Sequence, residues 1–339
     1  MKGRKVSVAV LSVVLAAAAL TGCGSAQQTN GPKKTRVVLN EVAHSVFYAP
    51  MYVAIEEGYF EEEGLDLTLV TGFGADKVLT ALISGEADIG FMGAEASIYA
   101  CQEGATDPAV NFAQLTQRAG NFLVAREDMP DFKWEDLKGK KVLGGRKGGM
   151  PEMVFEYILK KNGIDPQKDL TIDQSIDFGS TAAAFTGDDS AAYTVEFEPS
   201  ATILEKEGAG HVVASLGEAS GYVPYTSYSV KTSYMKENPE IIQKFTNALQ
   251  KGMDYVQSHT PEEIAEVIAP QFKETDIDTI TTIVKRYYDQ DTWKENLIFK
   301  KDSFELLQDI LEDAGELGER AEYEGLVQTE YAKNAVKEK

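Results

Sequence analysis

Hydrophobic positions along this chain follow two rhythms. Short apolar runs at residues 36–40, 65–70 and 88–92 alternate with stretches at 48–57 and 75–84 whose apolar residues recur every three or four positions. The runs suit buried strands and the longer period suits amphipathic helices. Gly58 and Gly85 close the two helices, because glycine enters the left-handed region without steric penalty. A second series follows Gly139: a strand at 141–144, a helix at 151–161 stopped by Asn162 and Gly163, and a strand at 169–174. Residues 195–207 read as helix and 211–215 as strand. From Asn238 onward helices dominate, at 239–258, 261–269, 276–288 and 303–314. Strands alternating with helices imply an α/β fold with mostly parallel sheets and helices on their faces.

Length changes this picture first. At 339 residues the chain exceeds one compact core, so two domains are expected. The formal charge of −21, from 33 basic and 54 acidic residues, gives no electrostatic footprint for nucleic acid. Three histidines (His44, His211, His259) and two cysteines (Cys23, Cys101) stand far apart. They offer no metal-ligand spacing and no disulfide framework. Neither a metal nor another cofactor is expected.

The amino terminus carries the most specific motif. Lys2, Arg4 and Lys5 precede an uncharged, mostly apolar run from Val6 to Leu20. As a helix that run would be roughly 22 Å long, short of a hydrocarbon core of about 30 Å. It therefore reads as a secretion leader. Leu20, Thr21, Gly22 and Cys23 resemble a bacterial lipobox, which implies cleavage after residue 22 and a lipid on the Cys23 sulfur. An ordinary leader with a chance cysteine is the alternative. Residues 23–35 then form a polar tether, and the expected location is the extracytoplasmic face of the cell membrane.

Motifs of catalysis do not appear. Gly72 and Gly74 lack the third glycine of a dinucleotide loop, since Lys77 stands there, and residues 144–150 lack the ending of a phosphate loop. Ala219 occupies the place where a nucleophile elbow needs serine. Residues 48–66, from Tyr48-Ala-Pro-Met-Tyr to Gly64-Leu-Asp66, resemble instead the opening of bacterial solute-binding proteins for aliphatic sulfonates, taurine, nitrate and the pyrimidine precursor of thiamine. Ala81 to Gly90, Leu137 to Val142, Glu198-Pro199 and Asn238-Pro-Glu240 fit the same family. The resemblance, over roughly residues 36–260, implies a two-lobed periplasmic-binding-protein-like fold with a hinge of two crossing segments, placed at 121–126 and 222–229. Residues 36–120 plus 222–339, with a helical tail, would form lobe 1, and residues 127–215 lobe 2. It also implies a non-enzymatic receptor, expected to be a monomer, whose partners are a small-molecule ligand, an ABC permease and that permease's ATPase. Fungal relatives on this fold make the thiamine pyrimidine, but they carry a cysteine-rich loop that this chain lacks.

Ligands in open α/β sheets sit at the carboxyl ends of strands, and four loops meet that description. They supply Glu41, His44, Phe47 and Tyr48; Glu95 and Ser97; Arg146, Gly149, Met150 and Glu152; and Tyr193, Glu196 and Glu198. Tyr225 joins them from the second crossing segment. The resembled family lines its cleft with these loops. Carboxylates in a closing cleft repel anions and need donor partners, whereas a pyrimidine-like or other small heteroaromatic ring brings N–H groups and a face for stacking. Each glutamate is also accounted for by a solvated loop or a helix cap, and Phe47 and Tyr48 by the core. Arg118 and Arg146 keep a sulfonate-, taurine- or nitrate-type anion open as the alternative ligand.

Overall fold

The computed structural model describes residues 34–176 and 178–337. The leader, the lipobox and nearly all of the expected tether lie outside them. Two five-stranded sheets form two lobes. The first contains β1 (Thr35–Glu41), β2 (Leu65–Thr71), β3 (Ile89–Met92), β4 (Ala109–Gln114) and β10 (Ser227–Lys231), in the order β2-β1-β3-β10-β4. The second contains β5 (Asn121–Ala125), β6 (Lys141–Leu143), β7 (Thr171–Asp173), β8 (Tyr193–Phe197) and β9 (His211–Ser215), in the order β7-β6-β8-β5-β9. In each sheet one strand, β10 or β5, runs antiparallel to both neighbours, and the other four share a direction.

Those two reversed strands follow the passages between lobes. The chain leaves β4 through residues 115–120 and enters β5, then leaves β9 through 216–226 and enters β10. The crossing segments thus lie just before or across the positions expected from sequence, and Asn121 already belongs to the second sheet. They brace one another: Leu115 N donates to Thr226 O (3.2 Å), Thr226 N to Thr116 Oγ1 (3.0 Å) and Val223 N to Gln117 O (2.9 Å).

Helices α1 (Ala49–Glu56), α2 (Ala75–Ser84) and α3 (Glu95–Gln102) belong to the first lobe, and α4 (Met150–Lys161), α5 (Phe178–Gly187) and α6 (Ser200–Lys206) to the second. Residues 195–207, read as one helix, divide into the end of β8 and α6. Pro199, which lacks an N–H and restricts the residue before it, forces the break. The tail supplies α7 (Pro239–Ser258), α8 (Pro261–Ile268), α9 (Ile277–Asp289), α10 (Lys301–Ala314) and α11 (Glu330–Lys337). It packs on both lobes rather than on the first alone: α7 lies on α1, while α10 lies on α4 and α9 touches α6.

Candidate functional site

Sheet topology brings the carboxyl ends of β1 and β3 against the start of β5 and the end of β8. Phe47 is fully buried there, with ring centroids 5.2 Å from Tyr48, 5.7 Å from Tyr225, 5.1 Å from Tyr287 and 6.2 Å from Phe197. Tyr48 meets Phe91 edge-on at 4.5 Å. Tyr225 donates its hydroxyl to Asn121 Oδ1 at 2.6 Å. That bond fixes the amide and leaves Asn121 Nδ2 buried with no partner. Sequence reasoning missed Asn121, because a short amide at a strand start carries no periodic signal.

Glu95 opens α3, and its side chain folds back over Gly93, where an added Cβ would lie 2.1 Å from Glu95 Oε2. The residue is 4% exposed and Oε2 has no hydrogen-bond partner. Burial raises its pKa to about 7, against smaller opposing effects from its own backbone N–H and the Arg146 charge. Burial first, and then the Glu95 charge, also pushes up the Tyr99 hydroxyl. Burial chiefly raises the Tyr48 and Tyr225 hydroxyls, and the Glu95 charge adds to both. Ser97 Oγ and Asn40 Oδ1 are likewise buried without partners.

The remaining expected residues are placed otherwise. Glu41 is fully buried and accepts from Tyr52 Oη (2.6 Å), Thr71 Oγ1 (2.9 Å) and His44 Nδ1 (2.8 Å). The other nitrogen of His44 lies 2.9 Å from Gln271 O. Both ring nitrogens therefore face acceptors, and the bond to Glu41 raises the His44 pKa against the opposing effect of burial. Glu152 accepts from Gly148 N (3.1 Å) and Gln174 Nε2 (2.6 Å); burial and the neighbouring Glu156 raise its pKa to about 8. It holds the loop containing Gly149, while Met150 is packed in the core. Glu196 is raised to about 7 by burial although Thr194 and Thr181 donate to it. Glu198 accepts from Thr202 N and Thr202 Oγ1 (2.9 Å each) and from Arg286 (2.8 Å). Tyr193 points at Met129 Sδ (3.3 Å), within the second lobe. Arg146 is half exposed and 3.7 Å from Asp76 of the first lobe.

Direct contacts join the lobes around this region. Ser45 Oγ donates to Glu198 O (3.2 Å), and Tyr99 Oη donates to Gly148 O (3.3 Å). Two open surface grooves, of about 450 and 640 Å³, lie away from it, beside Tyr323 and Asp107, and neither is lined by a buried polar group lacking a partner. Among the described residues no group of His, Cys, Asp or Glu side chains is placed to hold a metal, and no helix is long and apolar enough to cross a membrane.

Residues 46–264 match the family described as NMT1/THI5 like. The chain is also 47% identical, over 305 residues, to "Putative binding protein YtlA" of Bacillus subtilis (strain 168), covering 90% of this chain and 91% of that one. This chain belongs to the NMT1/THI5-like family. A more distant relative is the 4-amino-5-hydroxymethyl-2-methylpyrimidine phosphate synthase of Aspergillus parasiticus, 25% identical over 224 residues, 62% of this chain and 63% of that one. In fold the chain is similar to the alkanesulfonate-binding protein SsuA from Xanthomonas axonopodis pv. citri bound to MOPS, with a TM-score of 0.69, 15% identity, and coverage of 88% and 100% of the two chains. The architecture is the two-lobed periplasmic-binding-protein fold, and the family match spans Phe47, Tyr48, Glu95, Asn121 and Tyr225.

Proposed function

We propose that this protein is an extracytoplasmic solute-binding receptor that delivers a small molecule to an ABC permease and its ATPase, held at the membrane by a lipid on Cys23. Its ligand on this reading is a pyrimidine-like or other small heteroaromatic compound bearing N–H donors. One observation carries the ligand class: Glu95 is buried at the start of α3, after the carboxyl end of β3, with an unpartnered oxygen. A desolvated carboxylate of this kind demands a donor. Asn121 Nδ2 offers a donor in return, which suits a ring edge with an N–H beside an acceptor nitrogen or carbonyl. Tyr48, Phe47 and Tyr225 supply aromatic surface. Support comes from the name of YtlA and from the aminopyrimidine chemistry in the name of the Aspergillus relative.

A second reading rests on the same residue. With a pKa of about 7, Glu95 is partly protonated at neutrality and in that form donates to an anion. Mass spectrometry of small molecules that co-purify with the protein, followed by calorimetry on Glu95→Gln, separates the two. A lost charged acceptor in a desolvated site is worth about 1.5–3 kcal/mol, so affinity for an N–H-bearing ligand should fall roughly tenfold to a hundredfold. Unchanged affinity removes Glu95 from the site, and tighter binding identifies an anionic ligand.

A further inference from the structure

The tail contributes a side chain to the junction between the lobes. Ile280, Ile283, Val284 and Tyr287 are buried on one stripe of α9, which packs on α8 and on the Val46–Tyr48 turn, while α8 packs on α1. Trp293, just beyond α9, donates its indole N–H to Phe47 O at 2.8 Å. α9 is therefore seated on the first lobe. Arg286 and Gln290, one turn apart, point instead to the second. Arg286 donates to Glu198 Oε1 (2.8 Å), to Thr202 Oγ1 (3.0 Å) and to Glu205. Gln290 Oε1 accepts from Ser215 Oγ (2.6 Å) at the end of β9. Glu198 also receives the Ser45 hydroxyl on its backbone carbonyl, so the end of β8 is held from the first lobe at two points.

We propose that Arg286 is a positioning residue that holds the two lobes together and so sets ligand affinity without touching ligand. The Glu198 side chain is 0% exposed in this arrangement. Removing the guanidinium leaves a buried carboxylate short of its charged partner, a penalty that falls on the closed arrangement. Separating the lobes brings water to the same carboxylate, so the open arrangement is spared. The loss therefore shifts the balance toward open molecules and shortens the lifetime of the bound complex. The affinity part of this inference rests on the receptor reading above; the effect on lobe separation does not.

The test uses the purified Cys23→Ser chain, in which Cys101 is the one remaining native thiol. Spin labels on Cys101, exposed on the first lobe, and on Lys168→Cys, exposed on the second, report the interlobe distance without ligand. Arg286→Met should lengthen or broaden that distance. For the co-purified ligand it should weaken affinity roughly ten- to a hundredfold, mostly through faster dissociation. Arg286→Lys, which keeps a charge but not the fork, should fall between the two, and it guards against a misfolded Met variant. Arg320→Met, which removes a surface network wholly within the tail, should change neither quantity. Identical distances in wild type and both Arg286 variants overturn the proposal even if Glu95→Gln abolishes binding. If no ligand binds wild type, the receptor reading fails, and the distance alone decides the role of Arg286.

Discussion

Glu95 and Glu198 are almost equally buried, at 4% and 2% exposed, yet only Glu198 is satisfied by donors. The difference gives a pH signature. Glu95 binds its proton more tightly folded, near pH 7, than unfolded, near 4.5. Its contribution to stability is thus fully present below 4.5 and is lost as pH rises toward 7. Glu196, raised to about 7, and Glu152, raised to about 8, act in the same direction, as does the raised His44 as pH climbs further. Each carboxyl contributes a slope of at most about 1.4 kcal/mol per pH unit between its two pKa values. The unliganded protein should therefore lose stability from pH 5 to 8, and urea denaturation of Glu95→Gln should show a shallower loss. Affinity for an N–H-bearing ligand should rise through the same range and level off above pH 7, while Glu95→Gln stays flat; a fall with rising pH would favour the anion. The sequence predicts these glutamates in loops after strands; the structure puts Glu95 and Glu152 in the first turns of α3 and α4, Glu196 in β8 and Glu198 just after it. Their separate roles were not legible, because Arg286, Gln174 and Tyr52 reach them from distant parts of the chain.

At the scale of elements, local capping and long-range burial left unequal traces in the sequence. α8 begins with a capping box: Glu263 N donates to Thr260 Oγ1 (3.3 Å), Thr260 N donates to Glu263 Oε2 (2.9 Å), and Pro261 occupies the first turn. Thr260→Ala should lower stability by about 1 kcal/mol. Because α8 seats α9 on the first lobe, the loss should also appear as faster amide exchange across both helices, measured by mass spectrometry. Unchanged exchange in α9 would show that α9 holds its place without α8. Such helices are written in a 3.6-residue period, and α7 to α10 stand within two residues of their expected limits. β4 and β5 were not legible, because every residue in both is buried and alternation vanishes. α5 escaped for the opposite reason: its small residues give little contrast between faces.

For the whole molecule, the family resemblance gave the two-lobed plan, and the strand–helix alternation gave the class, but neither gave the tail's reach across both lobes. That reach depends on contacts between segments more than seventy residues apart, such as α10 on α4 and α9 on α6. The leader and Cys23 lie outside the described residues, so the anchor must be argued from charge and chemistry. Cleavage before Cys23 would remove Lys2, Arg4 and Lys5, leaving 30 basic against 54 acidic residues, a net of −24. A surface so acidic is repelled by anionic lipid. Electrostatics therefore cannot hold this protein at a membrane, and raising the salt should not detach it. Dual acylation, at about 0.8 kcal/mol per buried methylene, suffices for stable anchoring. In fractionated cells, wild type should stay with membranes through a high-salt wash and leave only with detergent, whereas Cys23→Ser should appear in the soluble fraction or remain unprocessed. A Cys23→Ser protein that is cleaved normally and still needs detergent would rule out the lipid anchor while leaving the cleft and its ligand untouched.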